Sequence, residues 1–253
     1  MSPIVVLLMV LFAAGESALP RKAGWEEAGR VESKFAHQAA AADETSVYAV
    51  SSTTVARHDR TTGKLLSSGT APSVKHLNSA FVHAGKVYCA HSNYPKKPEE
   101  SDIRVFDPAT AELAVHHKFV EPPGSIVWCV RDGKRWWCCF AHYGADNAMT
   151  VLVRFEDGWK ESGRWTFPKK VVDDWDAMSA SGGIFFEGSL LVTHHHFKVL
   201  YRLKVPDEPG ELQFTDALAS PFPGQGIAVD PKTGGLVGID RSKRSVVFAV
   251  KSK

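Results

Sequence analysis

A five-bladed β-propeller is the fold class the sequence predicts. It rests on a β-rich phrase that occurs five times, a spacing close to one blade, and a spare N-terminal segment able to complete the last blade. The phrase is a small-residue strand, a tight turn, a hydrophobic strand ending in a polar residue, and a third strand. Its second strands align as Val47-Tyr48-Ala49-Val50, Val87-Tyr88-Cys89-Ala90, Cys138-Cys139-Phe140-Ala141, Leu190-Leu191-Val192-Thr193 and Leu236-Val237-Gly238-Ile239. Ser51, His91, His142, His194 and Asp240 follow them, at intervals of 40, 51, 52 and 46 residues. That is about one four-stranded blade per interval. A single copy is a small sheet whose apolar faces only neighbouring copies can cover.

The elements follow in order. Inner strands are expected at residues 39–42, 78–82, 125–130, 182–186 and 225–229, all light in bulk, as crowding around an axis requires. Tight turns come next at Ala84-Gly85, Asp132-Gly133, Glu187-Gly188 and Asp230-Pro231-Lys232-Thr233-Gly234, with the residues that hairpins need. Third strands are expected at 55–58, 103–106, 151–155, 199–203 and 246–250, and Asp59-Arg60-Thr61-Thr62-Gly63 and Asp107-Pro108-Ala109-Thr110 turn the chain into short outer strands. The fifth copy ends at Lys253 with three strands. An open edge there invites aggregation, so residues 24–32 are expected to pair beside residues 245–250 as the missing outer strand. A sixth blade would need roughly forty more residues.

Ile4 to Ala14 form an apolar run of about eleven residues, too short to cross a bilayer and suited to the core of a secretory leader. Residues 1–18 are read as that leader, cut after Ala13-Ala14-Gly15 or near Ala18, and residues 19–253 as one propeller domain. The protein is then exported, to the periplasm or beyond. With 30 basic and 28 acidic residues the chain is near neutral, and no basic run points to nucleic acid or an anionic membrane. Cys89, Cys129, Cys138 and Cys139 lie within predicted strands, where a cysteine usually behaves as a small buried apolar residue. Export would also permit a disulfide.

First-strand starts and second-strand ends of a propeller share one rim, and here both are polar. His76, His91, His142 and His195 are the candidates for acid–base work, because imidazole exchanges protons near neutral pH. Asn78, Asn93, Tyr94, Tyr143, Asn147, His194, Gln225, Asp240 and Arg241 are the candidate ligand contacts, with Tyr94, Tyr143 and Trp128 as an apolar wall. The longest loops of this rim run from Ser92 to Asp102 and from Lys169 to Ala177. Imidazoles from several blades could converge on a metal such as Zn²⁺, or they could be hydrogen-bonding surface residues. No local spacing fixes metal ligands, so no metal residue is assigned and no cofactor is named. The Asn-Tyr-Pro and Tyr-Gly-Ala-Asp-Asn stretches have a second reading as plain turn chemistry. Glycoside hydrolysis needs two facing carboxylates, whereas Asp43 and Asp230 fall at the opposite, turn end. A serine hydrolase would show a Gly-x-Ser-x-Gly setting, which Ser51, Ser79, Ser125 and Ser181 lack.

The stretches Lys75-His76-Leu77-Asn78-Ser79, Cys89-Ala90-His91-Ser92-Asn93-Tyr94-Pro95, Gly224-Gln225-Gly226-Ile227-Ala228 and Asp230-Pro231-Lys232-Thr233-Gly234-Gly235-Leu236-Val237-Gly238-Ile239 resemble those of secreted bacterial propeller proteins often labelled cycloisomerases. That label rests on a loose similarity to enzymes that cyclise muconates to lactones or open lactones. The muconate-cyclising propellers have seven blades, so no catalytic residue is transferred from them. Two readings follow. One is an exported enzyme that closes or opens lactones, acting on a small sugar-, lactone- or hydroxy-acid-like molecule at the channel mouth. The other is a non-catalytic scaffold binding a carbohydrate or protein there. In either case the chain is expected to work as a monomer, without nucleic acid and without a membrane once the leader is gone.

Overall fold

The computed structural model describes residues 16–253, so nearly all of the expected leader lies outside the described residues. Five antiparallel sheets stand around a central axis as five blades. The first comprises Ala39–Ala42, Ser46–Val50, Val55–Asp59 and Leu65–Gly69. The second comprises His76–His83, Lys86–Ser92, Ser101–Asp107 and Glu112–Lys118. Ser125–Asp132, Arg135–Ala141, Val151–Phe155 and Glu161–Thr166 make the third. The fourth is built from Gly182–Phe186, Ser189–Thr193, Val199–Lys204 and Gln213–Ala219. The fifth has Ala228–Asp230, Gly235–Asp240 and Ser245–Lys251, with Trp25–Glu32 as its outer strand.

The closing strand pairs antiparallel to Ser245–Lys251 in the register Trp25↔Lys251 to Glu32↔Ser245. Trp25 is buried and meets Phe186 of the fourth blade edge-on, with ring centroids 5.1 Å apart. Two other edges are covered by short parallel additions that the sequence analysis did not foresee. Arg21–Lys22 lies against Gln213–Ala219, and Gly210–Glu211 lies against Glu161–Thr166. The N-terminal segment therefore caps the fourth blade before it completes the fifth, leaving fewer unpaired backbone groups to attract another chain.

Packing between blades explains the composition. Ala39 to Ala42 are all buried at the axis of the first blade, while Trp136 and Trp165, on the second and outer strands of the third blade, fill the widening spaces further out. Trp128 belongs to this packing and not to a ligand wall: it is fully buried, and a Cβ on Gly183 of the fourth blade would lie 2.6 Å from its ring. The four cysteines are buried free thiols, and burial pushes each well up from its ordinary range, with Cys89 at about 12.

The seam between the last and first blades is tied at both ends by an arginine reaching across it. At the turn end, Arg60 of the first blade donates to both carboxylate oxygens of Asp230 in the fifth, at 2.7 and 2.5 Å. At the other end, Arg241 of the fifth blade donates to the His37 carbonyl (2.8 Å) and to Gln38 Oε1 (3.2 Å) beside the first. Between them the Gly226 N–H donates to the Gln38 carbonyl at 2.9 Å.

Two local expectations change. Residues 169–177 are not loop throughout, since Lys169–Asp174 forms a short helix. The fifth inner strand is only Ala228–Asp230, because Gly224 and Gln225 both take left-handed backbone, at φ of 79° and 73°.

Candidate functional site

At the rim where first strands begin and second strands end, a cavity of about 160 Å³ opens. Gln38, His76 and Asn78, Val127, Ser181 and Gln225 reach it from the starts of the five inner strands. Tyr94, Tyr143, His195 and Arg241 reach it from the ends of second strands. It is small beside the usual range of roughly 300–1,000 Å³ for ligand sites, which suits a molecule the size of a single sugar or hydroxy acid.

His195 is fixed by Ser181, whose Oγ lies 2.7 Å from Nδ1. Burial first, then the Arg241 guanidinium and the neighbouring imidazoles of His196, His194 and His76, which would repel a second positive charge, push the His195 imidazole down to about 3, so it is neutral across the physiological range. Among the described residues its Nε2 has no protein partner. His76 is likewise lowered, first by burial and then by His91, Arg241 and His37, and its ring lies 5.9 Å from that of Tyr94. Tyr94 and Tyr143 have ring centroids 5.0 Å apart and form the apolar side of the opening, and burial raises the Tyr143 phenol.

Gln225 is buried yet left-handed, a conformation that is sterically costly for a residue with a side chain. It is held by its Nε2, which donates to the His195 carbonyl (2.9 Å), and by its own carbonyl, which accepts from Thr193 Oγ1 (2.8 Å). The preceding Gly224 can be nothing larger: a Cβ there would lie 2.3 Å from the His194 carbonyl oxygen.

Thus His76, Asn78, Tyr94, Tyr143, His195, Gln225 and Arg241 share one cavity, while the other sequence candidates do not line it. The expectation that His91, His142 and His195 face one entrance is corrected on this point. His91 accepts from the Lys75 N–H at Nε2 (2.8 Å), which turns its Nδ1–H to the Asp102 carboxylate (3.0 Å). Arg104 completes that buried cluster, and although burial opposes the charge of Asp102, its bonds to His91 and Arg104 hold it below the ordinary carboxylate range. His142 donates to the Pro123 carbonyl (2.6 Å) and lines an adjoining cleft with Lys97 and Asp146. His194 accepts at Nδ1 from the His196 and Phe197 N–H groups and stacks on the Phe197 ring. Burial takes it down to about 4.

The remaining polar candidates hold turns. Asn93 bridges the Pro98 carbonyl and the Glu100 N–H, and Asp240 caps a turn through Ser242 Oγ and the Lys243 N–H. Asn147 donates to the Asp176 and Met178 carbonyls, and so pins the segment that brings Met178 and Ser181 to the mouth.

Gln38, Val127, Met178 and Ser181 are not among the site candidates the sequence offers, Ser181 being weighed there only as a hydrolase nucleophile. Gln38 and Ser181 each sit one residue before an inner strand, a repeat position that would have singled both out.

A larger cavity of about 350 Å³ at the turn end, lined by Phe81, Val82, Val130, Ile184 and Val229, is mostly apolar. Its one carboxylate, Asp43, already accepts from the Thr45 and Ser46 N–H groups and the Tyr48 hydroxyl. Arg131, its other charged lining residue, donates to the Gly133 carbonyl and to Asp157. Among the described residues no three His, Cys, Asp or Glu side chains come together as a metal site, and no helix is long and apolar enough to cross a membrane.

No family model and no curated protein matches the chain. Solved structures do. Glutaminyl cyclase of Myxococcus xanthus matches with a TM-score of 0.58 at 8% identity, over 89% of this chain and 95% of that one. The PQQ-bound aldose sugar dehydrogenase of Streptomyces coelicolor matches at 0.54 and 12% identity, over 92% and 99%. What these enzymes share with this chain is the fold. Both are β-propellers, as this chain is.

Proposed function

We propose that this chain is an exported β-propeller that binds a small sugar-, lactone- or hydroxy-acid-like molecule at its channel mouth, and that it opens or closes a lactone there. The observation that carries the reading is the gathering of neutral His76 and His195, the Ser181 hydroxyl, the Arg241 guanidinium and the Gln38, Asn78 and Gln225 amides around one cavity. Gln225 adds to it by position: it is held at the mouth by bonds to His195 and Thr193, which fix its side chain beside the cavity. The neighbours on this fold, a cyclase and a sugar dehydrogenase, are themselves named for small-molecule work.

In lactone opening, His195 Nε2 takes a proton from water as the water oxygen attacks the ring carbonyl. The ring C–O bond then breaks, and the proton passes to the departing alkoxide. Ser181, hydrogen-bonded at Nδ1, is the group that orients the imidazole for this. The non-catalytic reading is supported by the same ring: an imidazole at about 3 is a weak base at neutral pH.

Thermal-shift screening against sugars, aldonolactones and hydroxy acids tests the site. A saturable rise in Tm is expected, and His195→Ala or His76→Ala should weaken the response by about tenfold or more. A ligand response that neither change alters puts the site elsewhere. Turnover of a lactone by the native protein, lost in His195→Ala, separates enzyme from binder.

A further inference from the structure

The cavity has a cation and no anion. None of its lining residues is Asp or Glu, and among the described residues no carboxylate lies within salt-bridge distance of Arg241. The contrast with the other arginine of the same seam is direct. Arg60 is neutralised by a bidentate carboxylate, whereas Arg241 has only a backbone carbonyl and an amide oxygen, both neutral. Those two contacts take Nε and Nη2 and leave Nη1 without a protein partner. Burial and the neighbouring Arg244 both disfavour the charge on Arg241, and no protein acid offsets them. His76 and His195 add no negative charge, and each already senses Arg241 as a repulsive neighbour. A half-buried cation aimed into a small polar cavity, held by neutral acceptors alone, is arranged for a negative group brought from outside.

We propose that the ligand is a small hydroxy-carboxylate, not a neutral sugar, and that Arg241 docks its carboxylate while the amides and imidazoles take its hydroxyls. This rests on the mouth reading above and narrows it. Gln38 is then a positioning residue: its Nε2 donates to Ser52 Oγ at 3.1 Å, which turns Oε1 toward Arg241 and fixes the guanidinium. On the lactone reading, the hydroxy acid is the open form, and the charge that appears on ring opening is the one Arg241 is placed to meet.

The test compares glycolate, lactate and gluconate with their neutral counterparts ethylene glycol, propylene glycol and sorbitol, by calorimetry on the full chain. At least one acid should bind about tenfold or more tightly than its alcohol. That preference should shrink as salt rises from about 20 mM to about 0.5 M, while alcohol binding stays flat. Arg241→Gln should remove the preference and Arg241→Lys should retain part of it. Because Arg241 also ties the seam, each variant is first checked for a cooperative melt, and the lysine variant keeps the comparison open if the glutamine variant does not fold. If no acid binds better than its alcohol, the anionic ligand is wrong. Alcohol binding that is lost in His195→Ala but indifferent to Arg241 would then leave the mouth site standing, whereas alcohol binding indifferent to both would remove the site as well.

Discussion

Arg60→Ala is expected to destabilise the native state by about 3–5 kcal/mol, because it strands the Asp230 carboxylate in the interior. Asp230 is 0% exposed and the Arg60 side chain 8%. Burial opposes the charge of Asp230, and Arg60 with Thr233 more than offsets that opposition, holding the carboxyl below its usual range. Without the guanidinium only Thr233 Oγ1 and the Lys232 N–H remain on it. Arg60 also covers the Phe248 ring at 4.6 Å and donates to the Asp43 carbonyl, so packing is lost with the charge. Urea unfolding of the single variant measures the cost. Replacing both partners, as in Arg60→Met with Asp230→Leu, should cost less than Arg60→Ala alone, since no orphan charge is left. A single-variant cost below about 1 kcal/mol would show that the pair is not what ties the seam.

Acid should unfold the protein earlier than carboxylate protonation alone would. His194 and His195 are held neutral at about 4 and about 3, against an unfolded value near 6.5. Their folded values are depressed, so below about pH 6.5 the unfolded chain takes up protons that the native state refuses. The stability present above that pH is lost progressively as pH falls toward the folded values, by up to about 1.4 kcal/mol per pH unit for each ring. Melting temperature should therefore drop steadily between about pH 6.5 and pH 4. His195→Asn, which cannot titrate, should flatten that slope. A Tm that holds constant down to about pH 4.5 would contradict the burial of these imidazoles. A bound carboxylate should oppose the trend, because it favours the charged form of His195 that Arg241 now disfavours.

How much of this was legible follows from which contacts are local. The turns after each inner strand, the light strand Ala39–Ala42 and the closing pair Trp25–Glu32 with Ser245–Lys251 could all be read from period, bulk and the need to cover an edge. The rim logic placed His76, Asn78, Tyr94, Tyr143, His195, Gln225 and Arg241 at one mouth because strand starts and ends recur in phase with the repeat. It failed for His91, whose partner Asp102 sits directly opposite on the next strand across a long loop. No property of that loop's sequence fixes the cross-strand register. Asn93 and Asp240 proved to hold turns, the reading that Asn and Asp invite on their own. What lay hidden at Gln225 is its conformation: the left-handed backbone is held by Thr193 and His195 from the adjacent blade, and no local preference announces it.

The pairing of Trp25–Glu32 with Ser245–Lys251 also sets a timetable. Trp25–Glu32 is made before all five inner strands and its partner Ser245–Lys251 only with the fifth blade, so the circle cannot shut before that blade has been made. Arg21–Lys22, just ahead of it in the chain, likewise waits for its partner in the fourth blade. A nascent chain wired in this way stays threadable until its fifth blade is made, and its ring then shuts in one long-range event.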